Sequence, residues 1–119
     1  MQTHEILAWL GDDQGALTGD QLAAFTALAE QITARHPGPD DRDDAQGALT
    51  VAHRLLLEQP ESVVADLARD LLAARRAEAV ARAGLRQAAL QLIEGVYSEA
   101  RFAREAGVDR MTVRSWRRT

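Results

Sequence analysis

The last twenty residues of the chain gather six arginines: Arg101, Arg104, Arg110, Arg114, Arg117 and Arg118. A guanidinium presents paired N–H donors that match phosphate oxygens and the O6/N7 edge of guanine. Arg110 and Arg114 stand four residues apart, with Met111 and Ser115 directly after each, so a helix would carry all four on one face. Methionine supplies apolar contact, such as with a thymine methyl, and serine bonds to several base edges. The chemistry these residues suit is recognition of nucleic acid rather than the making or breaking of bonds.

Other chemistries find less support. The chain has no cysteine, which removes thiolate nucleophiles, thiolate metal ligands and disulfides, and fits a reducing compartment. His4, His36 and His53 form neither HxxxH nor HExxH and read as surface residues. The acidic runs Asp12-Asp13 and Asp40 to Asp44 lack the alternating oxygen ligands and glycine of a calcium loop, and read as caps and loops. With no glycine-rich phosphate cradle and no serine elbow, no enzyme, cofactor or metal site is expected.

Positioning the arginines requires two short helices that cross closely. In Glu99 to Arg118, EARFAREAGVDRMTVRSWRR, Phe102 and Ala106 face a core and Ala103 is small where the helices would cross. Gly107 accepts the left-handed conformation of a tight turn, Asp109 has the side chain to cap the following helix, and Val108, Val113 and Trp116 complete the packing. This pattern resembles the helix-turn-helix of phage repressors, resolvases and small bacterial regulators. The resemblance implies double-stranded DNA as partner, Asp109 to Arg118 as recognition helix, and Arg110, Met111, Arg114 and Ser115 as base-reading residues. It implies Arg101, Arg104, Thr112, Arg117 and Arg118 as phosphate contacts, and Phe102, Ala103, Ala106, Gly107, Val108, Val113 and Trp116 as the core of the motif. With the chain stopping at Thr119, a β-wing is not expected, and a simple tri-helical reader whose first helix is Arg86 to Val96 is preferred.

Upstream, periodicity predicts only helices. One begins at Thr3 and ends at Gly11, and GDDQGAL reads as a loop. Thr18 with Gln21 makes a capping-box start for a second helix, carrying Leu22, Phe25, Leu28, Ala29 and Ile32 on one face until HPGPDD breaks it. A third runs from about Asp44 to Gln59, and Pro60 with Glu61 suits the first turn of the longest helix. Gly84 could divide that helix; unbroken, it would extend roughly 45 Å and call for a partner helix. Its steps from Val64 to Leu67 and Leu71 match a heptad seam, which Arg75 and Glu78 interrupt.

Composition agrees with an all-α chain, with a helical N-terminal region (1–84) for dimerisation or partner binding, joined through the long helix to a tri-helical helix-turn-helix reader (85–119). Hydrophobic residues are 46% and aromatics 4%, so the core is built from Ala, Leu and Val. The net charge of -4 argues against a protein that coats nucleic acid unselectively, yet it hides a division. Met1 to Ala68 holds twelve acidic residues against three arginines, a balance of -9, whereas Arg69 to Thr119 holds eleven arginines against six acids, a balance of +5. No stretch approaches the roughly 20 apolar residues of a membrane span, and the start lacks the basic residues of a secretory signal, so a soluble cytoplasmic protein is expected. The function expected is a bacterial sequence-specific transcriptional regulator acting as a homodimer. The competing expectation is an adaptor that binds a protein partner through its acidic half, with a structural C-terminal hairpin.

Overall fold

The computed structural model describes residues 1–118; Thr119, the last residue of the expected reader, lies outside them. The chain is all-α. Among the described residues there are six α-helices and no strand: α1 (Thr3–Leu10), α2 (Gly19–Arg35), α3 (Arg42–Leu57), α4 (Pro60–Leu92), α5 (Glu99–Ala106) and α6 (Arg110–Arg117). No described helix is long and apolar enough to cross a membrane. The chain divides into two compact units, Met1–Leu67 and Ala68–Thr119, and that division falls within α4, as does the 1–84/85–119 boundary expected from sequence.

In the first unit, Ile6 and Leu10 of α1, Phe25, Ala29 and Ile32 of α2, and Leu49 and Ala52 of α3 are buried together. The Thr18 hydroxyl accepts from the Gln21 backbone N–H at 3.1 Å while the Gln21 side-chain Oε1 accepts from the Thr18 N–H at 2.8 Å, so the capping box starts α2. The Gln21 side chain also donates to the Leu56 carbonyl at 3.0 Å, tying the start of α2 to the end of α3. Arg54 bonds to Glu58 at 2.8 Å and to Asp66 in the first turns of α4 at 2.7 Å, which fixes the α3–α4 corner. The hydrogen bond and charge of Arg54 hold the Glu58 carboxyl below its ordinary pKa.

Three local expectations are corrected. The GDDQGAL segment contains a 3-10 helix, Gly11–Ala16, because Gly and Asp also satisfy the backbone of a tight helical turn. Gly84 does not divide α4: flanking Ala, Leu and Arg residues are strong helix formers and outweigh the roughly 1 kcal/mol that one glycine costs. His53 is half-buried rather than fully at the surface, edge-on to Trp9 and Phe25 with ring centroids 6.1 and 6.0 Å away.

In the second unit, Ala89 and Ile93 pack with Phe102 and Ala103 of α5 and Val113 of α6 in one small core. Leu85, Ala88, Tyr97, Ala106, Val108 and Trp116 close around it. The α4 helix stops at Leu92 rather than continuing to Val96, and the chain reverses through a turn in which the Glu94 N–H donates to the Tyr97 carbonyl at 3.0 Å. The positive φ of that turn, 80°, falls on Glu94 and not on Gly95.

Candidate nucleic-acid interface

Two caps and one glycine set the geometry of α5 and α6. The Ser98 hydroxyl accepts from the Arg101 N–H at 3.2 Å and starts α5. Gly107 ends it with φ 71° and ψ 29°, the left-handed conformation in which a Cβ is unfavourable, while its N–H bonds to the Ala103 carbonyl. The Asp109 carboxylate accepts from the Met111 N–H at 3.1 Å and starts α6. Phe102, Ala103 and Val113 are buried; Ala106, Val108 and Trp116 are half-buried against them.

With Val113 and Trp116 turned inward, the opposite face of α6 is solvent-exposed and carries Arg110, Met111, Arg114, Ser115 and Arg118. Thr112 and Arg117 are half-buried on the flanks. On α5, Arg101 and Arg104 are exposed, and the Arg101 guanidinium lies 4.3 Å from the centre of the Tyr97 ring while its Nε bonds to Glu105 at 3.3 Å. A hydrogen bond from Tyr97 and the Arg101 charge hold the Glu105 carboxyl below its ordinary pKa, and the same bond raises that of the Tyr97 hydroxyl.

The sequence does not reveal how the arginines are held. Glu99, in the first turn of α5 with a side chain only 16% exposed, faces three of them: Arg110 at 3.8 Å, Arg114 at 3.4 Å and Arg117 in a close ion pair. Arg117 also pairs with Glu94. Loss of hydration pushes the Glu99 carboxyl up, but the bonds from Arg117 and Arg114 and their charges outweigh it and hold the pKa below the ordinary 4.5. Thus Arg117, expected at phosphate, is bonded to two carboxylates, whereas Arg110 and Arg114 keep exposed guanidiniums tethered at one edge. These partners lie fifteen or eighteen residues apart for Arg114 and Arg117, a separation that no local spacing rule reads.

A second arginine cluster was not singled out from sequence. Arg82, Arg86, Gln87 and Leu90 of α4 line an open cleft with Trp116 of α6, about 470 Å³ in volume. The signal available was the i, i+4 spacing of Arg82 and Arg86. In the first unit, His36, Asp41 and Asp44 bring one ligand-type atom each within 4.8 Å of one another. Asp41 there accepts from the Gly38 N–H at 3.1 Å, and Asp43 and Asp44 lie in the first turn of α3, which accounts for these carboxylates as helix-start residues.

In comparisons with known proteins, no protein family, no curated sequence and no solved structure matches the chain.

Proposed function

We propose that this chain is a sequence-specific DNA-binding transcriptional regulator that inserts α6 into the major groove. The observation that carries the reading is the two-sidedness of α6. Its inner side, Val113 and Trp116, packs on the core, and its outer side presents Arg110, Met111, Arg114 and Ser115 to solvent. A short helix held in this way leaves base-reading side chains projecting from a fixed backbone, as direct readout requires. Arg110 and Arg114 suit guanine, Met111 a thymine methyl and Ser115 a neighbouring base edge. Arg101, Arg104 and Arg118 surround this face and suit phosphates, with Thr112 beside them.

One α6 spans only a few base pairs, so the reading includes two copies of the chain related by a two-fold axis, each on a half-site about 34 Å from the other or a multiple of that. The setting is the cytoplasm of a bacterium, where such a regulator meets the chromosome. Recovery and sequencing of fragments bound from source DNA at near-physiological salt tests the reading. A shared palindromic motif, lost with Arg110→Ala/Arg114→Ala, is expected; absence of any motif overturns it.

A second reading, an adaptor for a protein partner, is favoured by one observation. An apolar groove of about 300 Å³ opens between α2 and α3, lined by Leu28, Ile32, Val51, Leu55 and Leu56. It predicts no sequence preference for DNA, so the same selection separates the two.

A further inference from the structure

The first half of α4 carries large apolar side chains that the described residues leave largely exposed. Val64 is 62% exposed, Leu67 37%, Leu71 52% and Leu72 49%. Together with Ala68, Val64 and Leu71 fall in a stripe whose neighbours have opposite charge at its two ends: Glu61, Val64, Ala68, Leu71, Arg75. The steps are three, four, three and four residues, the spacing of a seam between two helices, with Leu67 and Leu72 on its margins. Beyond Arg75 the stripe reaches Glu78 and Arg82, which are bonded to each other at 3.0 Å along the helix. The apolar part is therefore short and bounded at both ends.

We infer that a second copy of the chain covers this stripe, with its α4 antiparallel and Ala68 at the two-fold axis. The order of residues selects that arrangement. Glu61 and Arg75 each lie seven residues from Ala68, so an antiparallel copy sets Glu61 level with the partner's Arg75; Val64 and Leu71 lie four and three residues away on the same flank of the seam, so each falls beside the partner's other, offset by one residue, about 1.5 Å of helix rise. A parallel copy in register sets Glu61 against the partner's Glu61 and Arg75 against the partner's Arg75, two like-charge layers that oppose pairing. Alanine at the centre lets the two backbones approach where they cross. Leu67 and Leu72 then close the margins and keep water from the three apolar layers. The inference deepens the two-copy part of the proposed function and rests on it by naming the surface and its polarity.

Its test needs no DNA, so failure of pairing and failure of DNA reading are separately visible. Because the chain has no cysteine, single cysteines report neighbours in the intact protein. Under mild oxidation at tens of micromolar, Ala68→Cys is expected to form a disulfide-linked dimer. Val64→Cys alone is expected to remain unlinked, whereas a mixture of Val64→Cys and Leu71→Cys chains links. Efficient linking of Val64→Cys to itself shows a parallel pair and overturns the inference, as does a monomeric wild-type chain in sedimentation at the same concentration. A charge exchange supplies a second measurement that does not depend on thiol geometry. Glu61→Arg alone should weaken dimerisation about tenfold, by turning two attractions into two repulsions, and the double variant Glu61→Arg/Arg75→Glu should recover most of it. Equal dimerisation of all three chains contradicts the arrangement.

Discussion

Glu99 and Arg117 form an ion pair that joins the first turn of α5 to the last turn of α6. The same carboxylate lies within 4.0 Å of Arg110 and Arg114, so one acidic residue orders three of the arginines on the proposed reading helix. In the proposed reading, Arg110 and Arg114 would exchange Glu99 for groove acceptors, while Arg117 would keep its bonds to Glu94 and Glu99. Arg117 is thus a brace for α6, and on the proposed reading it would act on DNA affinity through the position of that helix.

The Glu99 brace has a pH signature. Its folded pKa lies below the ordinary 4.5, so its stabilisation is complete above about pH 4.5 and is lost as the pH falls through the folded value. Thermal melts of wild type and Glu99→Gln are expected to differ at pH 6, with the variant less stable, and to converge towards pH 3. A difference of equal size at pH 3 contradicts the ion-pair account.

Gly107 is needed for its backbone conformation and not for space, because no atom lies within 4 Å of where a Cβ would stand. Gly107→Ala is therefore expected to cost about 1 kcal/mol in urea unfolding, and Gly107→Asn less, since asparagine tolerates the left-handed region. Identical stabilities for alanine and wild type would show that the turn relaxes to negative φ.

Val113 and Arg114 are sequence neighbours with opposite surroundings, one fully buried and the other exposed. Val113→Ala should destabilise by about 2 kcal/mol through lost burial and the cavity left behind. Arg114→Ala should leave the melting temperature nearly unchanged and relax selection at one guanine. Equal loss of DNA selectivity without loss of stability in Val113→Ala would argue against its place in the core.

Arg104 and Arg118 separate phosphate contact from base reading. Replacing either by alanine is expected to weaken binding to all duplex sequences alike and to lower the slope of log affinity against log salt by about 1. A loss confined to one base position would reassign that residue to direct readout.

The starts of α2 and α6 and the end of α5 were legible in the sequence because each rests on a short-range rule: Thr18 with Gln21 and Asp109 as caps, and Gly107 as the left-handed stop. The inward positions Phe102, Ala103 and Val113 followed from helical spacing in the same way. What was not legible depends on the balance of competing local terms or on distant partners. Gly84 costs too little to break a helix of strong formers, and the left-handed residue before α5 is Glu94 although a glycine stands next to it. The Glu99 cluster and the packing of His53 on Trp9 join residues far apart in the chain, which only the fold brings together.

Base reading by the outer face of α6 is open to a single-base competition experiment. A duplex carrying the selected site and its set of single-base-pair variants would compete for wild-type protein and for Arg114→Ala at fixed salt. Wild type is expected to discriminate against changes at a guanine by about 1–3 kcal/mol, and Arg114→Ala to lose that discrimination at that position alone. Discrimination that is absent in wild type, or unchanged in Arg114→Ala and Arg110→Ala alike, would contradict major-groove reading by α6.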